Sequence, residues 1–143
     1  MKTGFVTLER RVGRLVECRS RGEVTLQMAQ DLVGQLRTVL GPLEGPVLVV
    51  ADARNTEPFR NEIAQQIRLA LEQINPRVER GALLVGGRPL YDVQIEAILV
   101  ASRHPRERTF REESALIDFL SETATADERR RMAEFFSEWK EES

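Results

Sequence analysis

A chain of 143 residues, 41% hydrophobic and 31% charged, is enough for one compact domain, which usually runs to about 100–150 residues. The apolar run Val47 to Ala51 is stopped by Asp52, far short of the roughly 20 residues of a membrane helix, so a soluble chain is expected. The net charge of −2 hides a gradient: residues 1–74 hold ten basic and nine acidic side chains, 75–111 seven and four, and 112–143 four and ten. An acidic end and few converging cations exclude general affinity for nucleic acid.

In chain order, Phe5 to Glu9 and Arg14 to Arg19 are short Val-, Leu- and Phe-bearing segments around a turn at Gly13, which predicts an opening β-hairpin. Leu26, Ala29, Leu32, Val33, Leu36, Val39 and Leu40 recur at helical spacing, with Thr25 as the cap and Gly41-Pro42 as the stop. Val47 to Ala51 is apolar without alternation, as in a strand covered on both faces. A second helix is predicted with Thr56 as N-cap, Pro58 in its first turn, a stripe of Phe59, Ile63, Ile67, Ala70, Leu71 and Ile74, and an end at Asn75-Pro76. Ala82 to Val85 reads as another buried strand, and Gly86-Gly87-Arg88-Pro89 as a loop. A third helix follows from about Tyr91 to Ser102, broken by His104-Pro105. A short strand around Arg108 to Phe110 leads into a fourth helix with Leu116, Ile117 and Leu120. Thr125-Ala126-Asp127-Glu128 has the capping-box pattern and starts a last helix to about Lys140.

Alternating strands and helices imply crossover connections, hence a single mixed, mostly parallel sheet of about five strands with four to five helices, an α/β fold. Residues 1–143 are expected to form one domain, with 125–143 an amphipathic helical extension. Open α/β sheets hold their ligands at the carboxyl ends of the parallel strands. That rim would carry Asp52, Arg54, Asn55 and Thr56 after one strand and Gly86, Gly87 and Arg88 after the next.

The residue types for catalysis are sparse. With one cysteine, Cys18, no intrachain disulfide or Cys-rich metal cluster is possible. Cys18 reads as a small buried hydrophobe, and the single histidine, His104, as a solvated loop residue among arginines. Gly86-Gly87-Arg88 lacks the glycine spacing and Lys-Ser/Thr of a phosphate loop. Asp52 could act as an acid or base, or simply hydrogen-bond the backbone of its own turn. Arg129-Arg130-Arg131 is accounted for by pairing along the helix with Asp127, Glu128 and Glu134. The last helix aligns Met132, Phe135, Phe136 and Trp139 on one face, which either packs back on the domain or docks on another protein or a second copy.

The order of elements, the strand ending in Asp52, Gln73-Ile74-Asn75-Pro76-Arg77 at a helix end, and Arg108-Thr109-Phe110-Arg111 before a helix with Leu116 and Phe119-Leu120 resemble the STAS domain family, in its SpoIIAA-like branch, over about residues 4 to 121. The resemblance implies a non-enzymatic regulator that binds a protein partner, with some members taking nucleotides or lipids at the strand-end rim. Anti-sigma-factor antagonists of this family carry a phosphorylated serine in an Asp-Ser-Ser-Gly motif. The matching stretch here is about Arg60-Asn61-Glu62-Ile63, which has no hydroxyl. The expected contacts with a protein partner, a second copy or a small anionic ligand are therefore Asp52, Arg54, Asn55, Thr56, Gly86, Gly87, Arg88, Phe135 and Trp139. No cofactor is expected. The start Met1 to Phe5 shows no basic segment followed by an apolar stretch, so a cytoplasmic location is expected.

Overall fold

The structure, a computed structural model, describes residues 4–142, with side chains as far as Glu138. The elements follow the order β1 (Phe5–Arg10), β2 (Leu15–Gly22), α1 (Leu26–Leu40), β3 (Val47–Thr56), α2 (Asn61–Ile74), β4 (Val78–Leu84), α3 (Pro89–Ser102), β5 (Glu107–Phe110), α4 (Glu113–Ser121) and α5 (Ala126–Glu142). The five strands form one sheet in the order β1-β2-β3-β4-β5. β1 and β2 are the antiparallel opening hairpin, and each later pair is parallel. Ala51 lies beside Leu83 and Asp52 beside Leu84, so the two apolar segments run side by side in one direction, as the α/β reading requires.

Each sheet face is covered because β3 is apolar on both sides. Leu15, Leu48, Val50, Ala82 and Leu84 face α4 and α5, where they meet Leu116, Leu120, Met132, Phe135 and Phe136. Val16, Val47 and Val78 face the other way, onto Leu32, Leu36, Ala70 and Ile74 of α1 and α2. Ala53 and Val85 continue that layer under Tyr91, Ile95 and Ile98 of α3. Full burial of a large apolar side chain is worth about 1.5–3 kcal/mol. The three fully buried residues Met132, Phe135 and Phe136 thus hold α5 firmly on the sheet.

β2 runs on to Gly22 and β4 starts already at Val78, and the ends of β3, α2 and α3 also differ from the sequence reading, for local reasons. β3 runs on to Thr56, because β2 continues beside it as far as Gly22 past a register shift between Arg19 and Arg21. Thr56 is therefore not a helix cap. It is wholly buried at the strand end, with its Oγ1 2.7 Å from Ser20 Oγ. α2 starts five residues later, after an N-cap Arg60 whose side chain makes no capping bond, so Pro58 lies outside the helix. Phe59 also precedes it but still packs edge-on against Tyr91. α3 begins at Pro89, whose fixed φ suits a first helical turn, and Arg103 ends it in the left-handed region at φ 62°.

Candidate interaction surface

The strand-end rim is tied up by its own ion pairs. Asp52 is 1% exposed and accepts three hydrogen bonds from Arg54, Nε to Oδ1 at 3.0 Å, Nη2 to Oδ2 at 2.6 Å and the backbone N–H to Oδ1 at 3.3 Å. Arg54 also donates through Nη1 to Glu113 at the start of α4, at 3.1 Å. The Asp52 hydrogen bond leads in raising the Arg54 pKa further. Because β3 does not stop at Asp52, Arg54 stays in the strand and its guanidinium lies on the α4 and α5 face, beside Glu113 and 5.9 Å from the Phe136 ring. Asp52 thus holds both the side chain and, as expected, the backbone N–H of Arg54, and the two arginines expected to meet a ligand each pair with a carboxylate of their own, Arg54 with Glu113 and Arg88 with Glu57.

Gly86 sits where the chain leaving β4 passes so close to β3 that a Cβ would collide with the Arg54 carbonyl. Gly87 takes φ +73°, which suits glycine. Gly86, Gly87 and Arg88 are exposed, and Arg88 pairs with Glu57 at 2.8 Å in solvent. Asn55 is exposed on the last turn of β3, and Thr56 is buried beside it. Among the predicted contacts, Asn55 and the loop 86–88 present themselves to a partner, whereas Asp52 and Thr56 do not.

On the last helix the stripe packs back on the domain, the first of the two alternatives. Phe135 is fully buried on the sheet with the Arg19 guanidinium 4.3 Å over its ring, so this stripe is core and Phe135 offers no contact surface. Trp139 falls on the same helix, but its side chain lies outside the described residues.

The single cysteine and the single histidine are both engaged by the fold. Burial, followed by the charge on Asp52, pushes the Cys18 thiol up to about 12. His104 is not a free loop residue. Its Nε2–H donates to the Val78 carbonyl at 2.6 Å, and Nδ1 accepts the Arg106 amide at 3.0 Å, which fixes one neutral tautomer and clips the β5 approach onto β4. Cys18 instead borders a cavity of about 130 Å³ between the sheet and helices α1 to α3. Its walls include Ala51, Phe59, Ile67, Tyr91 and Ile95, with Glu107 at one end. Burial raises the Glu107 carboxyl to about 7, and its Oε1 is buried without a hydrogen-bond partner.

What the sequence reading missed lies on α3. Its inner face buries Tyr91, Ile95 and Ile98. Its outer face carries Leu90, Val93 and Val100 at 76%, 70% and 74% exposure, the most exposed large aliphatics among the described residues. The signal was available: Leu90, Val93, Ala97 and Val100 recur at steps of three and four beside the buried stripe, so the helix carries a second apolar row, interrupted by Asp92 and Glu96. Leu90 lies two residues from Arg88, making this face continuous with the exposed part of the rim.

No family model matches the chain, and no curated protein matches it. Among solved structures, the crystal structure of an uncharacterised protein of the DUF3478 family from Shewanella loihica PV-4, described as having a SpoIIAA-like fold, matches with a TM-score of 0.62 at 16% identity, covering 84% of this chain and 98% of that one. The chain has the SpoIIAA-like fold.

Proposed function

We propose that the chain is a non-catalytic module that binds a protein through the outer face of α3 and the adjoining loop 86–88. The observation that carries this reading is the row of Leu90, Val93 and Val100, each at least 70% exposed on a helix whose other face is already packed. A row of large apolar side chains left open beside polar loops is a feature of protein-docking surfaces. The absence of catalysis is supported by the commitments of its reactive groups: the Cys18 thiol is held neutral, His104 spends both nitrogens on backbone, and Asp52 is locked by Arg54. Affinity capture with the wild-type chain and with Val93→Glu tests it. A bound protein should be lost with the variant, and identical capture by both would overturn the assignment to α3.

A second reading moves the small ligand from the rim to the cavity. At the rim, Arg54 and Arg88 already hold carboxylates, which disfavours an anion there. The cavity, at about 130 Å³ and mostly aliphatic and aromatic, has room for an apolar group about the size of benzene. Thermal denaturation with benzene and short alkylbenzenes checks this. A ligand at a hundred times its dissociation constant adds about 2.7 kcal/mol, and an unmoved midpoint removes the reading.

A further inference from the structure

The exposed face of α3 borders an open sheet edge. β5 is the outermost strand next to β4. The Arg106 and Phe110 carbonyls accept the amides of Gly81 and Val85, so strand alternation turns the N–H and C=O groups of Glu107 and Thr109 outward. Between this edge and α3 runs a groove of about 440 Å³, with Asp92, Val93 and Glu96 on the helix wall and Thr109, Phe110 and Arg111 on the strand wall. A depression of about 320 Å³ extends it past Val100 and Arg108. The helix wall is acidic and the strand wall basic, and Arg111, 74% exposed, already reaches Asp92 at 3.3 Å.

Resting on the reading that this face binds protein, we infer that its occupant is a second copy of the chain, with the two β5 strands pairing antiparallel about a two-fold axis perpendicular to the sheet. A two-fold interface must be complementary to itself, and this surface meets that condition in three ways. With Thr109 opposite Thr109, Arg111 of each copy comes beside Glu107 of the other, whose carboxyl is turned inward over Gly81, so the Arg111 guanidinium meets no cation at the edge and is left to reach the groove. Arg108 then faces Phe110, so no like charges lie directly opposite. The same axis keeps both α3 helices on one side of the joined sheet and runs them antiparallel, so that Val93 of one copy meets Val100 of the other and covers the exposed row. The second copy's Arg111 also enters the groove beneath Glu96. Strand pairing supplies affinity through the backbone, and the apolar row and charges set the register.

The test is the mass in solution, by light scattering across a broad concentration series, of the wild type and two variants. The wild type should double from 16.3 kDa as concentration rises. Thr109→Pro removes an outward N–H that β4 does not use, and Val93→Glu places a charge at a site 70% exposed in the single chain, so each should stay monomeric with an unchanged far-ultraviolet circular dichroism spectrum. Should Thr109→Pro lose that spectrum, Val93→Glu decides alone. A wild type that is monomeric at every concentration overturns self-pairing, as does a dimer that survives Val93→Glu. A monomer that still captures a different protein in a Val93-dependent way overturns self-pairing while leaving the protein-binding role of α3 standing.

Discussion

The Arg131 guanidinium grips the Glu17 carboxylate with two parallel hydrogen bonds, Nε to Oε2 at 2.9 Å and Nη2 to Oε1 at 2.8 Å, joining α5 to β2. Both side chains are less than a tenth exposed, and Arg131 also reaches Glu138 at 2.6 Å. Removing one member of a buried pair leaves an uncompensated charge and costs about 3–5 kcal/mol, whereas replacing both with apolar groups is often neutral. Arg131→Leu should therefore lower the urea unfolding free energy by that amount, and the double variant Glu17→Leu with Arg131→Leu should recover most of it. A double variant as unstable as the single would show that the pair does not act as a unit.

The capping box of α5 does more than start a helix. Thr125 N–H donates to Glu128 Oε1 at 2.9 Å and Glu128 N–H to Thr125 Oγ1 at 3.1 Å, while Glu128 Oε2 accepts the Arg14 amide at 2.8 Å from the hairpin. Thr125→Ala removes a single cap acceptor, expected to cost about 1 kcal/mol. Glu128→Ala leaves two amides without their acceptor at a site 1% exposed. A buried unpaired donor costs about 1–3 kcal/mol, so the Glu128 variant should be the weaker of the two in the same denaturation series. Equal losses would mean that the tie to Arg14 contributes nothing.

These contacts mark where the sequence was legible. Periodicity located the stripes of α1, α4 and α5, and the Val47 to Ala51 run revealed a two-sided strand, because burial writes itself into local spacing. The capping box was readable for the same reason, since its partners are three residues apart. Arg131 was not, because its main partner lies 114 residues away and only the fold brings the two together. The end of β3 was missed because Asp52 and Arg54 look like turn residues, while parallel pairing with β2 and their mutual ion pair keep them in a strand. His104 gave no local sign that both ring nitrogens would be used. On α3 the apolar spacing was visible on both faces, but choosing the buried one required knowing where the sheet lay.

Gly86 is the point of closest approach between the loop after β4 and the backbone of β3. Gly86→Ala must push the loop away from the Arg54 carbonyl, a rigid backbone atom, and overpacking of this kind costs about 1–3 kcal/mol. By contrast Gly34, on the exposed side of α1, has open space where a Cβ would stand, and Gly34→Ala should stabilise its helix by about 0.5–1 kcal/mol. Thermal midpoints moving in opposite directions for these two substitutions are the expected outcome. A harmless Gly86→Ala would show that the loop yields freely.

Glu107 gives the fold a pH dependence of definite sign. Its carboxyl is held near 7 by burial in the folded chain, against about 4.3 when unfolded. Below the unfolded value both states keep the proton and the group has no effect on stability. As pH rises past about 4.3 the unfolded chain sheds its proton while the folded chain retains it. Stability therefore falls until the folded carboxyl also ionises near 7, and the loss persists above that. Glu107→Gln stays neutral at every pH, so its stability should match the wild type at pH 4 and exceed it at pH 8, with the gap opening between those limits. Urea midpoints of both proteins over a pH series measure the gap directly, since the other carboxylates titrate alike in the two and cancel in the difference. Curves that run parallel from acid to base would show that the unpartnered Oε1 of Glu107 carries no such cost.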